Sequence, residues 1–523
     1  MKPEPLQFSG ARAATDPLTL YADTPQGQYL IWYLADLQAE SVVIEPQYFD
    51  RDYLSEFAAF YCLSSANYGN CCSRLHYFSI DVDRPLIELA ASGSKEARDK
   101  LQSAYLGFIV LRPIPGTPIG RTVLRWYPDN KPLPRVVEPW RWYLAHLAGI
   151  QLRVRGLAWQ QQDAGVGACA TVALWSMLHS SALDDRHVVP TTAEVTQTAH
   201  RAGLSSQPLF PSEGLSFGQL VAAVRDSGFA PLVVAGELPG SRFKRERFCS
   251  SLASFIRSGY PVLIAGELED GSGGHAVCAV GFRQAASTVQ PGLIELEDTN
   301  TEFVYLHDDN LGPAARFRVE VGEPRERKRW LIGARRDPSR AFRSDAGYEH
   351  VLLRANPPPK LHQLTLADPT ETYPRFIPTA LLAAAHSDVR VTPDRLHVLA
   401  LDLATMLVEL FGRSIGVAAS SRVTKLSGYV GKELQRVLAA APQILSRTRL
   451  ALWEAVAPMS LHIGVVRIGT STAPLLDVLY DTTDSVPNMR AFCHVAYDPD
   501  IASAVDYLEQ LKLFAPGVRV EAY

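Results

Sequence analysis

The stretch Gln160-Gln161-Gln162-Asp163-Ala164-Gly165-Val166-Gly167-Ala168-Cys169-Ala170-Thr171-Val172-Ala173-Leu174-Trp175-Ser176-Met177-Leu178-His179 runs a polar, amide-rich loop into an apolar helical pattern, with a cysteine at the junction. The pattern predicts a helix from Cys169 to His179. A thiol at the first turn of a helix faces backbone N–H groups without intrahelical partners and the positive end of the dipole. That setting favours thiolate, and a thiolate is a nucleophile.

A cysteine nucleophile needs a base that the fold returns to it. His275, in Gly271-Ser272-Gly273-Gly274-His275-Ala276-Val277, is the best candidate: small residues before it allow close approach, and the strand after it holds the ring. His179 lies nearly three helical turns from Cys169, and His187 and His200 have no such setting. The imidazole needs an acceptor that fixes its tautomer. The strand Phe303-Val304-Tyr305-Leu306 runs into His307-Asp308-Asp309-Asn310-Leu311-Gly312-Pro313, so Asp308 or Asp309 is placed to serve. Gln162, seven residues before the thiol, is the candidate oxyanion donor, together with the Cys169 N–H.

These pieces, in this order, resemble the papain-like cysteine peptidases, most nearly the bacterial double-glycine leader peptidases and their soluble relatives. The resemblance covers about residues 155–320. It implies Cys169 as nucleophile, His275 as base and then acid, an Asp or Asn orienting the ring, and a glutamine stabilising the oxyanion. In that family the glutamine usually stands six residues before the cysteine, where this chain has Asp163; Gln162 or Gln161 then requires a loop insertion. An Asp-Pro strand-end pattern points to Asp308 as the orienting residue, and an Asn-x-x-Gly pattern points to Asp309.

The expected architecture is α+β: a papain-like central domain (residues 151–355), with N-terminal helices and then an antiparallel sheet. An N-terminal α+β module (1–150) and a C-terminal α/β module (356–523) flank it. Val42–Pro46 reads as a strand ended by proline, Ala104–Arg112 as another, and Gln28–Leu37 as a helix. Helices are expected at Thr192–Ala202, at Ser216–Ser227 behind a Ser216/Gln219 capping box, and at Cys249–Ser258. Strands are expected at Ala230–Ala235, Pro261–Gly266, Ala276–Phe282, Leu293–Glu297 and Glu302–Leu306. The basic run Arg325 to Arg343 reads as a solvated hairpin or linker, with contact to an acidic partner as the alternative, and Pro357–Pro378 as a connection between domains or a rigid crossing strand. In the last module, helices are expected at Arg395–Phe411, Lys432–Ala441 and Ser503–Leu513, and strands at Leu461–Ile468, Ala473–Tyr480 and Ala491–Tyr497.

A formal net charge of −4 argues against a protein that coats nucleic acid. No run approaches the roughly 18 apolar residues that span a bilayer, so no membrane contact is expected. The seven cysteines show no C-x-x-C spacing, and Met1-Lys2-Pro3-Glu4-Pro5 begins no signal pattern, so a reducing cytoplasmic setting is expected. Cys71-Cys72 with His76 is half a metal site without a second half and reads as two half-buried thiols. Asp481 and Asp484 read as an Asp/Thr turn. No cofactor or metal is expected.

The expected activity is hydrolysis of a peptide or isopeptide bond in a protein or peptide substrate, through an acyl-thioester on Cys169. Two alternatives stand beside it. One is a thiol acyltransferase or transglutaminase-like reaction, and the other is a non-catalytic adaptor or sensor with a degenerate peptidase domain. The adaptor would place the Cys169 sulfur more than about 6 Å from the His275 ring, beyond even a loose hydrogen bond.

Overall fold

The structure, a computed structural model, describes residues 4–128, 135–163, 165–183, 187–201, 210–212, 214–285, 294–296, 300–322, 327–330, 342–345, 349–357, 368–410, 417–455, 461–470, 473–483, 491–510 and 517–520. It is a mixed α and β chain.

The first sheet holds β1 (Gln7–Gly10), β2 (Ser41–Tyr48), β3 (Cys72–Phe78), β4 (Tyr105–Leu111) and β5 (Ile119–Leu124) in sequential antiparallel order. The same region holds α1 (Pro25–Asp36), α2 (Arg51–Ala59), α3 (Arg84–Ala91) and α4 (Lys95–Ala104). The strand expected to stop at Pro46 runs through it. The ladder between β2 and β3 is irregular between Glu45 and Tyr48, so the missing proline N–H breaks no regular pairing. Cys72 is buried and Cys71 half-buried, both free, and His76 packs on Tyr105 and Glu45.

A two-stranded ribbon follows, β6 (Arg141–Leu147) with β7 (Ile150–Gly156). β7 alternates buried and exposed residues along its length, the period of a half-buried strand. This ribbon spans the boundary expected at residue 150.

The central region carries α5 (Cys169–Leu178), α6 (Thr192–Arg201), α7 (Phe217–Asp226), β8 (Ala230–Ala235) and α8 (Arg245–Arg257). Ser216 caps α7 with the reciprocal Gln219 bond of a capping box. Next come β9 (Val262–Leu268), β10 (Gly274–Gln284), β11 (Ile294–Leu296), β12 (Thr301–Asp308), β13 (Gly312–Gly322), β14 (Arg327–Trp330), β15 (Phe342–Asp345), β16 (His350–Ala355) and β17 (Phe376–Ala385). The large sheet has the order β16-β13-β12-β10-β9-β17-β8, and β16 also pairs with β17, closing six of these strands into a barrel. β17 therefore belongs to this sheet and not to the module expected to start at residue 356. Its start falls in the Pro-rich stretch read as a connection or a crossing strand, and Pro378 sits at a register irregularity against β9. β14 and β15 form the hairpin within the basic run; Arg325, Arg335, Arg336 and Arg340 lie outside the described residues.

The last region holds α9 (Pro393–Leu410), β18 (Val417–Lys425), α10 (Leu426–Gly428), a π turn (Tyr429–Glu433), α11 (Leu434–Val437) and α12 (Pro442–Ala455). It continues with β19 (His462–Gly469), β20 (Pro474–Asp481), β21 (Ala491–Ala496), α13 (Pro499–Gln510) and β22 (Gly517–Arg519). Its sheet has the order β11-β18-β19-β20-β21-β22. β11 was expected in the central sheet but pairs in parallel with β18, so the chain crosses to the last sheet and returns. Asp481 accepts from the Thr483 N–H and hydroxyl, the turn expected there, while Asp484 lies outside the described residues. One hydrophobic core runs from the first sheet through the barrel into the last region, with a smaller cluster behind β19–β21. Among the described residues, no helix is long and apolar enough to cross a membrane.

Candidate active site

α5 begins at Cys169 with Ala168 as its N-cap residue and no side-chain cap bond. Alanine cannot cap, so the first-turn N–H groups are left for another acceptor. The helix is apolar all round and packs across β9, β10, β12 and β17, which seats its first residue at the sheet. Cys169 is half-buried and free.

His275 lies at the start of β10, opposite Gly266 of β9. On the other side of β10, Cys278 faces His307 of β12. The strands are antiparallel, so continuing β12 past His307 carries Asp308 towards His275. The His275 Nε2 is 3.2 Å from Asp308 Oδ1 and 3.9 Å from Asp309 Oδ1. Asp308 thus orients the ring, and Asp309 is its neighbour. Cys169 and His275 line the same cleft, and the thiol adds to what favours the charged ring. With Nε2 taken by the carboxylate, Nδ1 is the nitrogen left for the thiol.

The corner at Asp308 is fixed from several sides. Its carbonyl accepts from Trp159 Nε1 at 3.0 Å and its Oδ1 from the Asn310 N–H at 2.9 Å. Gln26 of α1 donates to the Asp309 carbonyl at 3.1 Å. His307 accepts from the Ala314 N–H on Nδ1 and donates from Nε2 to the Leu157 carbonyl; burial pushes it down to about 4, so it stays neutral there. Gly312 is required by packing: a Cβ there would stand 2.0 Å from the Tyr29 ring.

Tyr373, just before β17, donates to Asp308 Oδ2 at 2.5 Å and lies 3.3 Å from His275 Nε2. It was not anticipated, because its contacts join residues 65 and 98 positions apart and no local pattern marks it.

Burial opposes a charge on His275, but the Asp308 carboxylate more than offsets it, so the ring is held well above the ordinary histidine value. Asp309 is fully buried and its Oδ2 has no partner. Burial pushes it up to about 7, with His275 opposing and Asp308 adding. An acid raised from its ordinary value of 3.8 takes up protons on folding between the two values, so stability falls as pH rises from about 4 to about 7. Asp309→Asn lacks that loss. Its Tm relative to the parent should be higher at about pH 8 than at about pH 4, and an equal difference at both would contradict the assignment.

The Gln-rich lead-in divides its roles. Gln160 donates to Glu56 Oε1 and Gln161 Oε1 accepts from the Ile119 N–H. Gln162 donates to Asn310 Oδ1 at 2.6 Å, which brings it into the Asp308–Asn310 corner and leaves it a second amide hydrogen. Asp163, six residues before the thiol, points away into the loop. Its Oδ1 accepts from the Gly165, Val166 and Gly167 N–H groups, and its Oδ2 lies 3.3 Å from Arg112. Arg112 also meets Glu56 at 2.8 Å, so two residues of the first region hold the loop that carries the thiol.

Cys169 and His275 open on a cleft of about 550 Å³. Its walls are small or apolar at Gly214, Leu215, Phe217, Ala265, Gly266 and Gly274, with the carboxylate of Glu267. No family model matches the chain, and no curated protein matches its sequence.

Proposed function

We propose that the chain is a papain-like cysteine peptidase that hydrolyses a peptide or isopeptide bond through an acyl-thioester on Cys169. The observation that carries this reading is that Cys169 and His275 share the wall of an open cleft, with Asp308 3.2 Å from the His275 ring. Their chain order, on a helix packed against antiparallel strands, supports the same fold. All seven cysteines are free, which suits a reducing compartment such as the cytoplasm.

His275, whose charged form Asp308 favours, holds the thiol proton, and the thiolate sulfur attacks the substrate carbonyl carbon. The resulting oxyanion is met by the Cys169 N–H at the open first turn and by the remaining amide hydrogen of Gln162. His275 returns its proton to the leaving amine as the C–N bond breaks, giving the thioester. Water then attacks, His275 takes its proton, and the C–S bond breaks to release the acid and restore the thiol. Asp308 and Tyr373 keep the imidazole oriented throughout.

Cleavage of a peptide library in ¹⁸O-labelled water tests hydrolysis. The expected result is one labelled oxygen in each new carboxylate. Products joined to an added amine, without labelled acid, would place the chain with the acyltransferases instead.

A further inference from the structure

A second cleft, of about 340 Å³, opens where Glu138 and Trp140, the end of α8 and the corner from β18 into α10 meet. Four cationic side chains line it, Arg257, Arg422, Lys425 and Lys432, against two carboxylates, Glu138 and Glu433. Both carboxylates are already engaged by arginine. Glu433 lies 3.0 Å from Arg422, 3.7 Å from Arg436 and 3.9 Å from Arg467, and Glu138 lies 3.7 Å from Arg436. Lys432 rests 5.6 Å from the Trp140 ring centroid, and Lys425 stands opposite His462 in the β18–β19 ladder.

Neighbouring groups register this surplus of positive charge. Burial lowers Arg422 first; Arg467 and Arg257 lower it further, against Glu433 and Asp477, which raise it. His462, also on the cleft wall, is pushed down to about 4 by burial first and then by His386 and Lys425. An anion in the cleft would relieve these repulsions, and the Ser427 hydroxyl beside the lysines is a further hydrogen-bonding group on the wall.

We propose that this cleft binds a small multivalent oxyanion of the organic phosphate class through Lys425, Lys432 and Arg422. The site is independent of the peptidase reading, yet it shares two elements with the candidate active site. α5 starts at Cys169 and leads to Ser181 and Ala182 on the second cleft. β9 starts just after Tyr260 on the second cleft and reaches Ala265–Glu267 on the first. Seven strand residues span about 20 Å.

The test is thermal unfolding of the full chain with increasing inorganic pyrophosphate, at ionic strength held constant with sodium chloride. The expected result is a saturable rise in Tm of about 3 °C at a hundredfold excess over Kd. In Lys425→Ala/Lys432→Ala, checked for native circular dichroism, the rise should vanish. Should that pair fail to fold, the exposed Lys432→Ala alone is expected to weaken binding about 10-fold. No saturable rise in the parent, an equal rise with chloride alone, or an undiminished rise in the folded variant would overturn the proposal.

Discussion

Cys169→Ala is expected to abolish hydrolysis, with a loss of at least about 10³-fold in kcat/KM, while leaving Tm close to that of the parent. The sulfur is half-buried at a helix start, so its removal opens no deep cavity. Asp308→Asn should also cost about 10²-fold or more, because an amide cannot stabilise the imidazolium as the carboxylate does. Tyr373 and the Asn310 N–H would still hold the residue in place, so that loss would be chemical and not conformational. The measurement is steady-state kinetics on the best substrate from the peptide library, beside thermal unfolding of each variant. Unchanged cleavage by the Cys169→Ala protein would remove the thiol from the mechanism.

Arg112→Ala is expected to destabilise the chain by about 3–5 kcal/mol, the usual cost of breaking a buried ion pair from one side. Arg112, Glu56 and Asp163 are all fully enclosed. Burial alone would raise both carboxyls; Arg112 opposes this at Glu56 and, with the loop N–H groups, holds Asp163 below the usual range. Without the guanidinium, two carboxylates face each other without a counter-charge. The NH2 group also donates to the carbonyls of Thr117 and Gln161, so the loop before Cys169 loses its anchor to the first region. Urea unfolding should show a lower midpoint, and Cys169 reactivity should fall even where the variant remains folded. A change below about 1 kcal/mol would mean that the cluster does not hold the loop.

Much of the candidate site was legible because its signals are local. The apolar pattern after Cys169, the glycines before His275 and the strand running into Asp308 each lie within a few residues. Choosing between Asp308 and Asp309 required the antiparallel register of β10 and β12, which local sequence does not encode. Tyr373 and Arg112 act over long sequence separations, and neither carries a motif. Strand pairings that cross the expected boundaries are equally long-range. The β6–β7 ribbon crosses residue 150, β11 pairs with a strand 123 positions later, and β17 completes the barrel from beyond residue 355. Pro46 and Pro378 sit at irregular points of their ladders, where a proline does not end a strand.

The most direct test of the central assignment is the rate at which a peptide electrophile, or a ubiquitin-like protein bearing one, forms a single adduct, followed by intact mass and located by peptide mapping. The exposed Cys62 serves as the internal reference thiol. The account predicts that Cys169 is modified first, faster than Cys62, and that His275→Ala removes this advantage. Modification of Cys62 ahead of Cys169 in the folded parent, or an undiminished Cys169 rate in His275→Ala, would contradict it.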